Sequence, residues 1–182
     1  MPASRNHGDL LRNVAAAIVQ NPRSTLKELA EASGVSNATL HRLCGTREHL
    51  ETILLQRAEA TLDGVIAIAR NEHSDYRTAL QDLIAAHCSE HEFLQAAFTL
   101  QASCSDKDYG PYFTAMNAFF LNGQMNGAFR IDLPPAFLTT VFSSSLYGLL
   151  NSEHRGCIAP AGMERQFLDF FLSGIAQADR QH

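Results

Sequence analysis

The chain has 182 residues, 46% of them apolar, which is enough for one or two small domains with a true hydrophobic core. No run approaches the ~20 apolar residues of a membrane span, no signal-peptide pattern opens the chain, and four cysteines at 44, 88, 104 and 157 follow no disulfide-framework spacing, so the expected setting is cytoplasmic, away from any membrane. The net charge of −5 is unevenly spread: residues 1–60 carry seven Lys/Arg against six Asp/Glu, and residues 61–182 carry seven against thirteen, so the first third of the chain is free of the acidic excess and can approach an anionic partner.

Every segment reads as helix, because apolar residues recur at three- and four-residue intervals and nowhere alternate for long. Leu10, Leu11, Val14, Ile18 and Val19 line a first helix that Asn21-Pro22 stops. In the stretch Thr25 to Glu51, TLKELAEASGVSNATLHRLCGTREHLE, Leu26, Leu29 and Ala30 share one face of a helix at about 25–32. Gly34 ends it, since the position after a helix commonly takes positive φ. Val35 packs beneath the turn, Ser36 caps a helix at about 36–43, and Leu40 and Leu43 return to the core. Two helices this short bury little alone; their use is geometric, the second standing out where it enters a DNA major groove.

From Thr46, Leu50, Ile53, Leu54, Ala58, Leu62, Val65, Ile66 and Ala69 hold one apolar stripe for over six turns. A fifth helix, about 75–90, places Tyr76, Leu80, Leu83, Ile84 and His87 on one face, and a sixth covers about 92–104. After a polar loop at Asp106 to Pro111, a seventh contains Tyr112, Phe113, Met116, Phe119 and Phe120 and ends near Asn122-Gly123 or Asn126-Gly127. The last two, about 134–152 and 162–178, offer more apolar surface than one core face uses. The expectation is an all-α protein of about nine helices, with a three-helix DNA-binding domain at 1–50 and a larger helical regulatory domain at 51–182.

The run Leu29-Ala30, Ser33-Gly34-Val35-Ser36, Thr39-Leu40-His41-Arg42 and Thr46-Arg47-Glu48-His49-Leu50 resembles the N-terminal pattern of the TetR-type bacterial transcriptional regulators. That pattern is Ala-Gly-Val-Ser, then a Thr-Leu-Tyr-Arg-like run, then Ser-Lys-Glu-x-Leu. His41 stands where the family usually has Tyr or Phe, and Cys44 where it usually has Phe. The linker Gly127 to Pro135 also has the family's look. The resemblance implies a ligand-responsive regulator, a repressor above all, that binds a near-palindromic operator as a homodimer and is released by a small-molecule effector.

Side-chain chemistry assigns roles in the head. Asn37 pairs with adenine edges, and the methyl and hydroxyl of Thr39 suit thymine or phosphate. Ser36 and His41 lie on or near the projecting part of the helix, Arg42 faces either DNA or solvent, and Thr25 and Arg47 offer a hydroxyl, helix-end amides and a cation to phosphate. In the body, the resemblance places an effector pocket, for which His87, His91, Phe98, Tyr112, Phe113, Met116, Phe120 and Phe142 are the candidate walls and polar pair. It also makes the last two helices a dimer interface, with Val141, Ser144, Ser145, Gly148, Phe167, Phe170, Phe171 and Gly174 as candidates; the alternative for these is packing within the chain.

Rival readings use the same body. His87 and His91 at helical spacing suit a metal-sensing regulator, Cys88 and Cys104 a thiol-sensing one, and a helical interaction module without DNA is the third. No Gly-rich phosphate loop, nucleophile elbow or zincin spacing occurs, so no enzyme, metal site or cofactor is expected.

Overall fold

The computed structural model describes residues 3–101 and 110–176, and the described residues form nine α-helices without a strand. They are α1 (Ala3–Gln20), α2 (Leu26–Ala32), α3 (Asn37–Cys44), α4 (Arg47–Arg70), α5 (Tyr76–Ser89), α6 (His91–Gln101), α7 (Gly110–Met125), α8 (Pro135–His154) and α9 (Met163–Ile175). None is long and apolar enough to cross a membrane. Cys104 and most of the expected loop at 106–111 fall outside the described residues.

The chain divides into two compact units, residues 1–61 with 90–107, and residues 62–89 with 108–182. The first buries Leu11, Val14, Ile18, Leu29, Ala30, Leu40, Cys44, Leu50, Leu54, Ala58 and Phe93 in one core. Helix α6 belongs to it, packed along α1, and Arg12 reinforces that packing with a 3.3 Å ion pair to Glu90. This division differs from the 1–50 and 51–182 split read from the sequence, because the apolar face of α6 (Phe93, Ala96, Ala97) finds its complement on elements some 80 positions earlier. Cys44 fills the core as a small apolar group, its thiol donating to the Leu40 carbonyl at 3.2 Å and pushed up in pKa by burial.

The second unit is built from α5, α7, α8, α9 and the end of α4 around an aromatic core of Tyr76, Tyr112, Phe119, Phe120, Phe129, Phe142, Phe167 and Phe171. The end of α7 folds the chain onto this core. Gly127 takes φ +73°, the Ala128 amide donates to the Gly123 carbonyl at 2.9 Å, and the Gly127 amide donates to Gln124 at 3.0 Å. This paired closure satisfies the last carbonyls of the helix. Phe129 then lies back over Gly123, and its neighbour Arg130 donates its amide to Ile175 at 2.8 Å. Gln124 holds the returning loop from inside, its amide nitrogen donating to the carbonyls of Arg130 (2.8 Å) and Leu133 (2.7 Å).

Candidate nucleic-acid interface and sensor core

The head is assembled by local hydrogen bonds at each helix end. Thr25 caps α2: its Oγ1 accepts from the Glu28 amide at 3.3 Å, while the Glu28 carboxylate accepts from the Thr25 amide at 2.6 Å. Those bonds hold the Glu28 carboxyl below the usual carboxylate range, the backbone bond contributing most. Gly34, at φ +71°, closes α2 as Gly127 closes α7, with the Val35 amide on the Ala30 carbonyl at 3.0 Å. Ser36 caps α3, accepting from the Thr39 amide at 3.1 Å and exchanging a hydroxyl hydrogen bond with Thr39 at 2.9 Å.

These ends fix which side of α3 is free. Leu40 and Cys44 point into the core, whereas Asn37, Ala38, His41 and Arg42 are exposed along the opposite side. Ser36 and Thr25 are also exposed, and Thr39 is half-buried with its hydroxyl already paired to Ser36. Arg47 is placed differently from the expected outward cation. Its guanidinium donates to the Pro22 carbonyl at 2.6 Å, to the Ser24 carbonyl and to the Glu51 carboxylate at 2.9 Å.

In the second unit the structure brings His87, Tyr112, Met116, Phe120 and Phe142 into one buried cluster. The Leu83 carbonyl lies 2.7 Å from His87 Nδ1 and only accepts, so Nδ1 carries the proton; Nε2 then accepts from the Tyr112 hydroxyl at 3.1 Å. The imidazole packs edge-on against the rings of Tyr112 and Phe142. Burial pushes the His87 pKa below its ordinary 6.5, opposed by the bond to Leu83, and the phenol of Tyr112 is pushed up by the same burial.

A neutral buried histidine has a consequence for stability. The unfolded chain takes up a proton near pH 6.5 that the folded chain refuses, so stability is complete above that pH and falls as pH drops toward the lowered folded pKa. The expected slope approaches about 1.4 kcal/mol per pH unit. Exposed carboxylates held low by hydrogen bonds, Asp75 with Thr78 and Asp132 with Arg130, lose their contribution only in stronger acid. Urea midpoints from pH 7.5 to 5 for the native chain and His87→Gln should diverge in slope; a variant with the native slope rules out this origin.

Other expected pocket residues lie elsewhere. Phe113 is exposed, and His91 and Phe98 sit on α6 in the first unit, with Phe98 exposed. The helix breaks at Glu90, so His87 and His91 are on different helices and the four-residue spacing gives no shared face. His91 lies 3.6 Å from the Glu92 carboxylate, and no group of three metal-ligating side chains occurs among the described residues. Burial, aided by the Glu164 and Glu153 carboxylates, pushes the half-buried Cys88 thiol up to about 12, opposite to a reactive thiolate.

In the final helices the interface candidates divide by burial. Phe167 and Phe171 face inward and pack on Phe142, at centroid distances of 5.6 and 5.4 Å, so they are core residues. Phe170, Gly174, Ser144 and Gly148 are exposed, and Val141 and Ser145 half-buried. Phe137, 52% exposed, continues the Val141, Ser144, Gly148 line one turn earlier, at i, i+4, i+7, i+11 spacing. Absent from the sequence reading is a cleft of ≈ 520 Å³ lined by Arg77, Gln81, Ile84, Pro160, Met163 and Asp169, where Arg77 reaches Asp169 at 3.0 Å. Its two walls lie about eighty positions apart, and no local pattern joins them.

A capped helical hairpin presenting one polar face, joined to an all-helical body with a buried aromatic core, defines a helix-turn-helix DNA-binding regulator. The chain is 40% identical over 177 residues to the HTH-type transcriptional regulator NfxB of Pseudomonas aeruginosa, covering 94% of this chain and 95% of that protein. Among solved structures, the MbdR regulator from Azoarcus sp. CIB matches with a TM-score of 0.67 at 15% identity over 92% of this chain and 97% of its own. The ketosteroid transcriptional regulator KstR2 of Mycobacterium tuberculosis matches with 0.64 at 18% identity over 94% and 95%. NalD, the secondary repressor of the MexAB-OprM multidrug efflux pump in Pseudomonas aeruginosa, matches with 0.55 at 13% identity over 97% and 98%. No protein-family model matches the chain. The chain belongs to the TetR family of transcriptional regulators.

Proposed function

We propose that this protein is a ligand-responsive transcriptional repressor that binds a near-palindromic operator as a homodimer and is released by a small molecule acting on the second unit. The observation that carries the reading is the exposed face of α3, where Asn37, His41 and Arg42 stand clear of the core between a Ser36 cap and the buried Leu40 and Cys44. A two-fold pair of such heads meets half-sites ~34–36 Å apart. Residues 1–50 carry DNA contact and 51–182 regulation and pairing. The direct test is a gel shift with DNA flanking the gene of this protein; absence of a salt-sensitive, sequence-preferring complex sinks the proposal.

Asn37 is the base-reading residue of this scheme, since a side-chain amide matches the paired donor and acceptor of an adenine edge. Asn37→Ala is expected to weaken operator binding by roughly tenfold, leaving nonspecific affinity and the salt slope unchanged. Equal weakening on operator and random DNA would assign Asn37 to the backbone instead.

The effector reading is supported by a cluster rich in rings that holds the hydrogen-bonded pair His87 and Tyr112. That chemistry suits a mostly apolar, ring-bearing compound. The efflux-pump repressor NalD and the SmeT–triclosan complex, which matches with a TM-score of 0.55 at 11% identity, belong to the same line of support. Val65 and Ala69 lie in the second core and Leu50, Leu54 and Ala58 in the first, so α4 is the element whose shift couples effector to operator.

A further inference from the structure

We propose that Arg47 is a positioning residue for operator binding, a strap that sets the start of α2 against the first turn of α4, and that it makes no phosphate contact of its own. The proposal rests on the regulator reading above. Arg47 opens α4 directly after Thr46, whose Oγ1 accepts from the His49 amide at 3.2 Å. From there the guanidinium turns back along the chain. Nη2 donates to the Pro22 carbonyl at 2.6 Å, Nη1 to the Ser24 carbonyl, and Nε to Glu51 Oε1 at 2.9 Å. Its side chain is only 22% exposed.

Those three bonds use a donor on every guanidinium nitrogen, and both terminal nitrogens face main-chain oxygen. The two carbonyls belong to the turn that delivers Thr25, the cap of α2. Helix α2 in turn packs on α3 and closes onto it through Gly34. Arg47 therefore sets where the α2 amides and the exposed face of α3 stand relative to α4. A planar fork serves two carbonyls and a carboxylate in diverging directions; an ammonium on a flexible stem keeps the charge and loses that geometry.

Operator affinity across a salt series, measured by fluorescence anisotropy for the native protein, Arg47→Lys, Arg47→Ala and Glu51→Ala, tests the strap. Preference of the native protein for the operator over random DNA, with a salt-sensitive affinity, tests the regulator reading independently of the variants. The expected result is that both Arg47 variants bind the operator about tenfold more weakly with an unchanged salt slope, since charged hydrogen bonds that orient the head are lost while phosphate contacts are kept. Both variants are expected to keep native helical circular dichroism and to melt only a few degrees lower, as the loss of hydrogen bonds at one helix start predicts, so the change in affinity reports the placement of the head. Glu51→Ala is expected to weaken binding about threefold, although removing a carboxylate near DNA would by itself tighten it. Native affinity in Arg47→Lys, a slope lowered by about one charge in Arg47→Ala, or tighter binding by Glu51→Ala overturns the proposal. So does loss of helical circular dichroism in both Arg47 variants, which would assign the residue to folding.

Discussion

Gly123→Ala is expected to lower the stability of the protein by about 2 kcal/mol, the reverse of the gain that glycine-to-alanine replacement inside a helix normally brings. Alanine favours helix over glycine by roughly 1 kcal/mol. Here, however, a Cβ at position 123 would lie 2.3 and 2.4 Å from two atoms of the Phe129 ring and 3.1 Å from Tyr76 Cδ1. The ring has nowhere to go. It is wedged against Tyr76, Phe119 and Phe120 at centroid distances of 5.7, 6.0 and 5.7 Å. Its backbone is held by the Gly127 turn, by the bridge to Ala176 and by the bond from the Arg130 amide to Ile175.

Two contacts this short put the overpacking cost at the upper end of the usual range, about 3 kcal/mol, which leaves a net loss of about 2 kcal/mol after the propensity gain. For a chain of this size the melting temperature should fall by about 4–8 °C. Gly64→Ala is the matched control, in the exposed middle of α4 with nothing within 4 Å of the added carbon, and it should raise stability slightly. Equal midpoints for the two variants in thermal denaturation would refute the account of Phe129 lying on Gly123.

The second large effect belongs to the proposed pairing of two copies. Phe170→Asp is expected to yield a folded monomer whose operator affinity is reduced by about 100-fold or more, because two heads joined in one particle gain at least that factor over separate ones. Phe170 is 73% exposed and contributes little to its own core, so the fold should survive the change. The exposed or half-exposed residues of α8 and α9 also include Phe137 and Val141 as apolar surface and Ser144, Gly148 and Gly174 as small residues that admit close helix approach. In a two-fold interface each substitution appears twice, and an unpaired carboxylate buried there is strongly opposed. Sedimentation and anisotropy on a full operator and a half-site decide the matter. A variant that keeps the native mass and native full-site affinity removes these helices from the interface.

Much of the head was legible in the sequence. Thr25, Gly34 and Ser36 act through hydrogen bonds to residues three to five positions away, so their spacing alone predicts two short helices and the turn between them. The apolar periods of the remaining segments likewise place each helix within a few residues of where it lies. One local feature escaped: the break at Glu90, which carries no glycine or proline and separates His87 from His91.

The sequence by itself determined the helices, their caps, the all-α class and the polar side of α3, because those depend on neighbours within about one turn of chain. Only the tertiary structure decided which of two apolar stripes on α9 turns inward, placing Phe167 and Phe171 in the core and leaving Phe170 outside. It alone paired His87 with Tyr112, returned Arg47 to the Pro22 and Ser24 carbonyls, and put α6 with the head. The physical reason is that a helical period repeats the same chemistry on more than one face. The choice among faces, and the partner of each buried polar group, is made by the packing of segments distant along the chain.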